Sequence, residues 1–155
     1  MNKLDKALSI FLIVAIVATL GFIIYMIATP QEGEKFTEFY ILNTEGKAQD
    51  YPKQVILGEP VDIVIGVVNH EYKPASYQIK IKIGDIEVAE ANIGTLANGE
   101  KWEEIISFTP QFAGERQRVD FYLYQNGEDE PYLKEPLRLF IDVVSPSGYT
   151  GDAVA

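Results

Sequence analysis

Few residues in this chain could do chemistry. The single histidine, His70, lies in Asn69-His70-Glu71-Tyr72, and Glu71 beside it suggests a metal ligand or a general base. A usual zinc set needs further His or Cys ligands, and the chain has one His and no Cys. The neighbouring residues read as a strand end and turn, so a structural polar corner is the favoured reading. Glu128-Asp129-Glu130, with Glu135 nearby, offers the oxygen ligands that calcium takes. The alternating Asp/Asn and fixed Gly of a calcium loop are missing, which favours a solvated turn. Three of the 23 acids precede Phe36, leaving 20 from which a hydrolytic carboxylate pair could be drawn; no pair stands out. There is no Gly-x-Ser-x-Gly, phosphate-cradling loop or dinucleotide fingerprint. Trp102, Tyr122, Tyr124 and Tyr132 could form a face that stacks on sugars or docks a protein, and they suit strands and cores equally well. The expectation is no catalytic residue, no cofactor and no metal. Asn69, His70, Glu71, Tyr72 and the four aromatics are the candidate interaction residues.

Two different solvents are written into the elements that must carry these residues. From Ala7 to Ala28 there are 22 positions without a charged side chain, almost all Ile, Leu, Val, Ala and Phe. As a helix they span about 33 Å, enough for a hydrocarbon core of about 30 Å. A globular helix would keep a polar face. A cleaved signal would be shorter and end in small residues, whereas this run exits through Tyr25-Met26-Ile27-Ala28-Thr29-Pro30. An uncleaved anchor is expected. Lys3 and Lys6 before the helix, against Gln31-Glu32-Gly33-Glu34 after it, place the N-terminus (residues 1–6) in the cytoplasm and the rest outside. Ala15, Ala18, Thr19 and Gly21 are small enough to admit a second helix.

A linker at 29–35 leads to a domain over 36–144. Charges before Phe36 cancel, so the net charge of −10 resides on the chain from Phe36 onward. That argues against nucleic acid, which needs Lys and Arg to replace its counterions. Without cysteine the domain has no disulfide and must rest on its core. No Asn-x-Ser/Thr acceptor occurs. Strands are expected at 36–42, 53–57, 61–68, 76–83, 86–91, 102–108, 117–124 and 137–144. Tyr77, Ile79, Ile81 and Ile83 alternate with Gln78, Lys80 and Lys82, the strand period. The Val61–Val68 run is apolar on both sides apart from Asp62, which suggests a central strand covered on both faces. Gly84-Asp85 is a two-residue hairpin turn. The fold class is therefore all-β: an immunoglobulin-like β-sandwich of about seven to eight strands after a single transmembrane helix. A small barrel is the alternative topology. The tail at 145–155 is rich in small residues and reads as flexible.

Several separate motifs recur together in one known family. They are Phe36-Thr37-Glu38-Phe39-Tyr40-Ile41-Leu42, Gly66-Val67-Val68-Asn69-His70-Glu71-Tyr72, Trp102-Glu103, Phe108-Thr109-Pro110, Ala113-Gly114-Glu115, Val119-Asp120-Phe121-Tyr122-Leu123-Tyr124 and Pro131-Tyr132. In order, over roughly 36–143, they resemble the C-terminal domain of an uncharacterised archaeal membrane-protein family, domain of unknown function 1616. The resemblance implies an archaeal setting and a membrane location; it supplies neither an activity nor catalytic residues to carry over. Many members carry several membrane helices; here one is seen, so the roles of the others do not transfer.

The leading functional expectation is a membrane-anchored, non-catalytic interaction module of the cell envelope. Its partners would be the lipid bilayer and another membrane or envelope protein, with a homo-oligomer left open. A pilin-like filament subunit, cut near Ala7, is the alternative, although the acidic residue usual early in such a helix is missing. A glycan-binding ectodomain is the third reading, for which Trp102→Ala or Tyr124→Ala would abolish sugar binding.

Overall fold

The uncharged N-terminal run forms one helix, α1 (Lys3–Ala28), in the computed structural model, which describes residues 2–29 and 32–146. The helix starts four residues before the uncharged run. Asp5 lies in its first turn and accepts a hydrogen bond from the Asn2 amide at 3.2 Å, favourable at the positive end of a helix dipole. None of its side chains is buried. The hydroxyls of Ser9, Thr19 and Thr29 bond back to carbonyls four residues earlier at 2.8, 2.8 and 2.5 Å. These polar atoms are thus satisfied within the helix, as hydrocarbon surroundings require. The helix is long and apolar enough to cross a membrane.

Eight strands follow: β1 (Phe36–Leu42), β2 (Gln54–Ile56), β3 (Val61–His70), β4 (Ala75–Ile83), β5 (Ile86–Leu96), β6 (Lys101–Phe108), β7 (Gly114–Gln125) and β8 (Leu137–Val144). They divide into a three-stranded sheet, β1-β3-β6, and a five-stranded sheet, β2-β8-β7-β4-β5. All pairings are antiparallel except β2 with β8. Alternation decides what goes inside. Ile63, Ile65 and Val67 of β3 meet Tyr77, Ile79 and Ile81 of β4 and Val119, Phe121 and Leu123 of β7 in one buried core. This is an all-β, immunoglobulin-like sandwich preceded by one apolar helix.

β3 is central in its sheet, as its composition implies; Gly66 and Val68 on its outer face are buried too, although among the described residues no further sheet lies over them. The Tyr40 ring lies across Gly66 instead: a Cβ added there would stand 2.1 Å from Tyr40 Cζ. The Tyr40 hydroxyl donates to the Glu103 carboxylate and Lys101 Nζ sits 6.0 Å from the ring centroid, so the ring is fastened by the neighbouring strand β6. Gly66→Ala is expected to evict the ring and cost about 1–3 kcal/mol. In a Tyr40→Ala background the same change should cost clearly less, a non-additivity that equilibrium denaturation of the four chains would reveal.

The turn at Gly84-Asp85 is present, with Ile83 paired to Ile86 and Gly84 at φ 61°. Strands β5 and β7 are longer than expected. β5 runs on to Leu96 through two register shifts against β4, and β7 begins at Gly114 across an irregularity before Gln117. Of the expected linker and tail, residues 30–31 and 147–155 lie outside the described residues.

Candidate functional site

At the end of β3 the chain turns a corner held by a buried amide. Asn69 is fully buried. Its Nδ2 donates to the carbonyls of Lys73 and Leu96 at 2.8 and 2.9 Å, and its Oδ1 accepts from the Glu71 amide at 2.8 Å. Asn69 therefore closes the β3–β4 corner and ties it to the end of β5.

That corner points Glu71 inward, where it is nearly buried. Glu71 Oε1 accepts from the hydroxyls of Thr37 and Tyr132, both at 2.9 Å. The Thr37 hydroxyl also shares a 2.7 Å hydrogen bond with that of Tyr77, and the Thr37 amide donates to the Tyr132 hydroxyl at 2.8 Å. Gln125 Nε2 reaches the Thr37 and Tyr77 hydroxyl oxygens at 3.5 and 3.4 Å. The network clamps the start of β1, the first strand after the linker, to β4, β7 and the loop beyond it. Its polar atoms are spent on one another inside the domain, which suits holding the corner.

Burial, and then the hydrogen bond to Glu71, hold the Tyr132 phenol above its ordinary value. The neutral phenol is the form the fold favours. Its contribution is full below about pH 10 and is lost as pH rises through the folded value. Tyr132→Phe is expected to lower stability at neutral pH by about 1–3 kcal/mol and to remove part of the alkaline fall. Denaturation curves near pH 8 and about pH 11 check both.

The other two corner residues face outward. His70 stacks on Phe36 with ring centroids 4.7 Å apart, and its Nε2 is 3.1 Å from Glu38 Oε2. Tyr72, at φ 60°, is 44% exposed and Phe36 45%. Phe36, His70 and Tyr72 thus give this end of the sandwich an exposed aromatic rim where the linker enters.

The four aromatics singled out in the sequence do not share a face. Trp102 is on β6 in the three-stranded sheet, half-buried against the core. Tyr132 turns into the Glu71 network. Tyr122 and Tyr124 lie on the outer face of the five-stranded sheet, with Lys82 and Lys80 over their rings at 5.3 and 5.6 Å. Beside them Asp120 is completely buried between two arginines. Arg138 Nε donates to its Oδ1 at 2.7 Å, and this bond raises the guanidinium's proton affinity. Arg118 Nε stands 2.8 Å from Oδ2 but off the line of a hydrogen bond, so charge alone holds that oxygen. Sequence reasoning missed Thr37, Tyr77, Gln125 and this arginine pair; the polar Thr37, in an otherwise apolar inward row with Phe39 and Ile41, was the available signal.

Glu128, Asp129, Glu130 and Glu135 are exposed. Among the described residues no group of three or more His, Asp or Glu is gathered so as to hold a metal ion. On α1, Leu12, Ala15, Ile16, Thr19 and Leu20 line a shallow groove. At about 100° per residue, Ala18 stands about 60° to the other side of Ala15 and Gly21 about 120° away. Ala15, Ala18 and Thr19 can thus form one stripe, and Gly21 is off it.

Fold and corner together define an immunoglobulin-like module with a closed hydrophobic core and a polar clamp at the end the linker enters. The chain belongs to the family described as Domain of unknown function (DUF1616), whose profile matches residues 30–142. Among solved structures it is similar to the CARDB domain of a Pyrococcus furiosus protein crystallised in complex with di-metal ions. The identity is 13%, the match covers 75% of this chain and 98% of that one, and the TM-score is 0.50. The solution structure of that CARDB domain is 15% identical over 72% of this chain and 98% of that one, with a TM-score of 0.49. A β-glucosidase from Listeria innocua in complex with glucose is 13% identical, over 72% of this chain and 16% of that one, at a TM-score of 0.42, too distant to carry an argument. At such identities the first likeness speaks for the fold alone. No curated protein sequence matches the chain significantly.

Proposed function

We propose that the chain is a single-pass membrane protein, N-terminus cytoplasmic, whose sandwich is displayed outside and binds another membrane or envelope protein without catalysing a reaction. The observation that carries this reading is the helix: 26 residues with no buried side chain, in a chain whose sandwich has a hydrophobic core of its own. Apolar surface on that scale needs lipid around it. Orientation rests on Lys3 and Lys6 before the helix against Glu32 and Glu34 after it. The binding role is supported by the exposed rim of Phe36, His70 and Tyr72, since aromatic side chains are enriched where interfaces form.

Site-specific photo-crosslinking in native membranes tests the binding role. A photo-reactive residue at Tyr72 is expected to give a discrete crosslinked product, at twice the chain's own mass if the partner is a second copy. The same residue at Glu45, exposed in the β1–β2 loop, is expected to give none. No product from Tyr72, or equal yield from both positions, would overturn the reading.

A further inference from the structure

The outer face of the five-stranded sheet carries a cleft of about 360 Å³, lined in its middle by a row across three strands. Asn92 of β5 pairs with Gln78 of β4, which pairs with Tyr124 of β7. Ser76, Gly94 and Gly127 flank the row. The site is shaped by a bulge. The β4–β5 register shifts between Tyr77 and Gln78, so that Gly94 and Asn92 oppose them and Ile93 is extra. Gly94 sits at φ 80° and donates its amide to Asn92 Oδ1 at 3.1 Å. Bulges re-aim side chains in this way.

The lining is chemically unusual for this domain. It contains no ionisable carboxylate or ammonium, although 20 acids follow Phe36. Gln78 Nε2 is held by the Glu90 carboxylate and Asn92 Oδ1 by the Gly94 amide. Each planar amide is therefore anchored at one end. Gln78 Oε1, Asn92 Nδ2, the Ser76 hydroxyl and the Tyr124 hydroxyl have no protein partner among the described residues. Fixed amides beside an aromatic ring, with both acceptors and donors left over and the bordering charges of Lys80 and Glu90 opposite in sign, match the vicinal hydroxyls and C–H face of a sugar. A peptide adding a strand would pair with the free backbone edge of β5, whereas the row Asn92–Gln78–Tyr124 runs across the strands on the sheet's face.

We propose that the cleft binds an uncharged saccharide. Tyr124 stacks against the ring, and Gln78, Asn92 and Ser76 pair with adjacent hydroxyls. This binding is separate from the protein partner proposed above and stands or falls without it.

The test uses the full chain in lipid nanodiscs, avoiding sugar-headed detergents that would compete. Isothermal titration with neutral hexasaccharides of glucose, mannose, galactose and N-acetylglucosamine is expected to show saturable binding of at least one. Tyr124→Ala and Asn92→Ala, the latter on an edge strand with an exposed side chain, should each weaken that binding tenfold or more. Trp102→Ala, on the other sheet, should leave it unchanged. Thermal midpoints identify any variant whose folding has suffered; if Tyr124→Ala is one of these, Asn92→Ala decides. Saturation by none of the four sugars, binding unaltered in the folded cleft variants, or an equal loss in folded Trp102→Ala would each overturn the proposal.

Discussion

Asn69→Asp is expected to destabilise the β domain by about 3–5 kcal/mol at neutral pH, the scale for an uncompensated buried charge. The amide nitrogen it replaces faces two carbonyl oxygens, those of Lys73 and Leu96, at 2.8 and 2.9 Å. A carboxylate oxygen in that position loses two donated hydrogen bonds and brings like partial charges together in a site with no solvent access. Burial raises the new carboxyl's folded value above its unfolded one, about 3.9. Stability is then greatest below the unfolded value and is lost as pH rises through the folded value. The variant should recover part of its deficit on acidification, when the carboxyl gains a proton to donate. Asn69→Leu, which carries no charge, should fall between parent and Asp at neutral pH. Denaturant unfolding of the three chains at two pH values measures this, and an Asp variant as stable as the parent would contradict the corner described here.

Phe121→Ala carries the second large effect, about 3–5 kcal/mol. Phe121 on β7 is fully buried and meets Phe108 of β6 edge to face, with centroids 6.3 Å apart and planes at 81°. The two rings belong to different sheets, so the pair reports directly on how the sheets pack. Truncating one ring removes its burial and leaves a cavity between layers that relax only in part. Ile105→Ala makes the contrast: Ile105 lies on β6 but is 57% exposed, and its loss should cost about 0.5 kcal/mol or less. Similar costs for the two changes would mean that the sheets do not face each other as described.

How far the fold was legible in the sequence depends on whether period two survives locally. β1 and β8 have the bounds that alternation implies, because nothing interrupts their pleat. β5 was cut short at Ala91 because Val88 and Ile93 are extra residues at register shifts. Each shift changes which face later residues take, so the pattern past Ala91 no longer reads as a strand. β7 hides its start in the same way, with Arg116 at φ 49° and its amide bonded to Asp142 Oδ1 at 2.7 Å.

The site was less legible, for a different reason. Asn69 and Glu71 stood out as polar residues at a strand end. Their partners did not, since Thr37 and Tyr132 are 95 positions apart and meet only once the chain has folded. As an aromatic, Tyr132 reads in the sequence as a possible member of one face with Trp102, Tyr122 and Tyr124. The loop after β7 folds back, with the Tyr132 amide donating to the Leu123 carbonyl at 2.7 Å, and carries that ring into the inner network instead. The cleft beside Tyr124 depends on a bulge and on three strands in register, neither of which a linear pattern displays.

The placement of the domain is the claim on which the functional account turns, and proteinase K added to intact cells tests it most directly. With an epitope after Ala155, the account predicts rapid loss of the epitope and of the sandwich while a short fragment containing α1 stays in the membrane pellet. A chain that remains whole until the cells are broken open would put the sandwich inside and contradict the account.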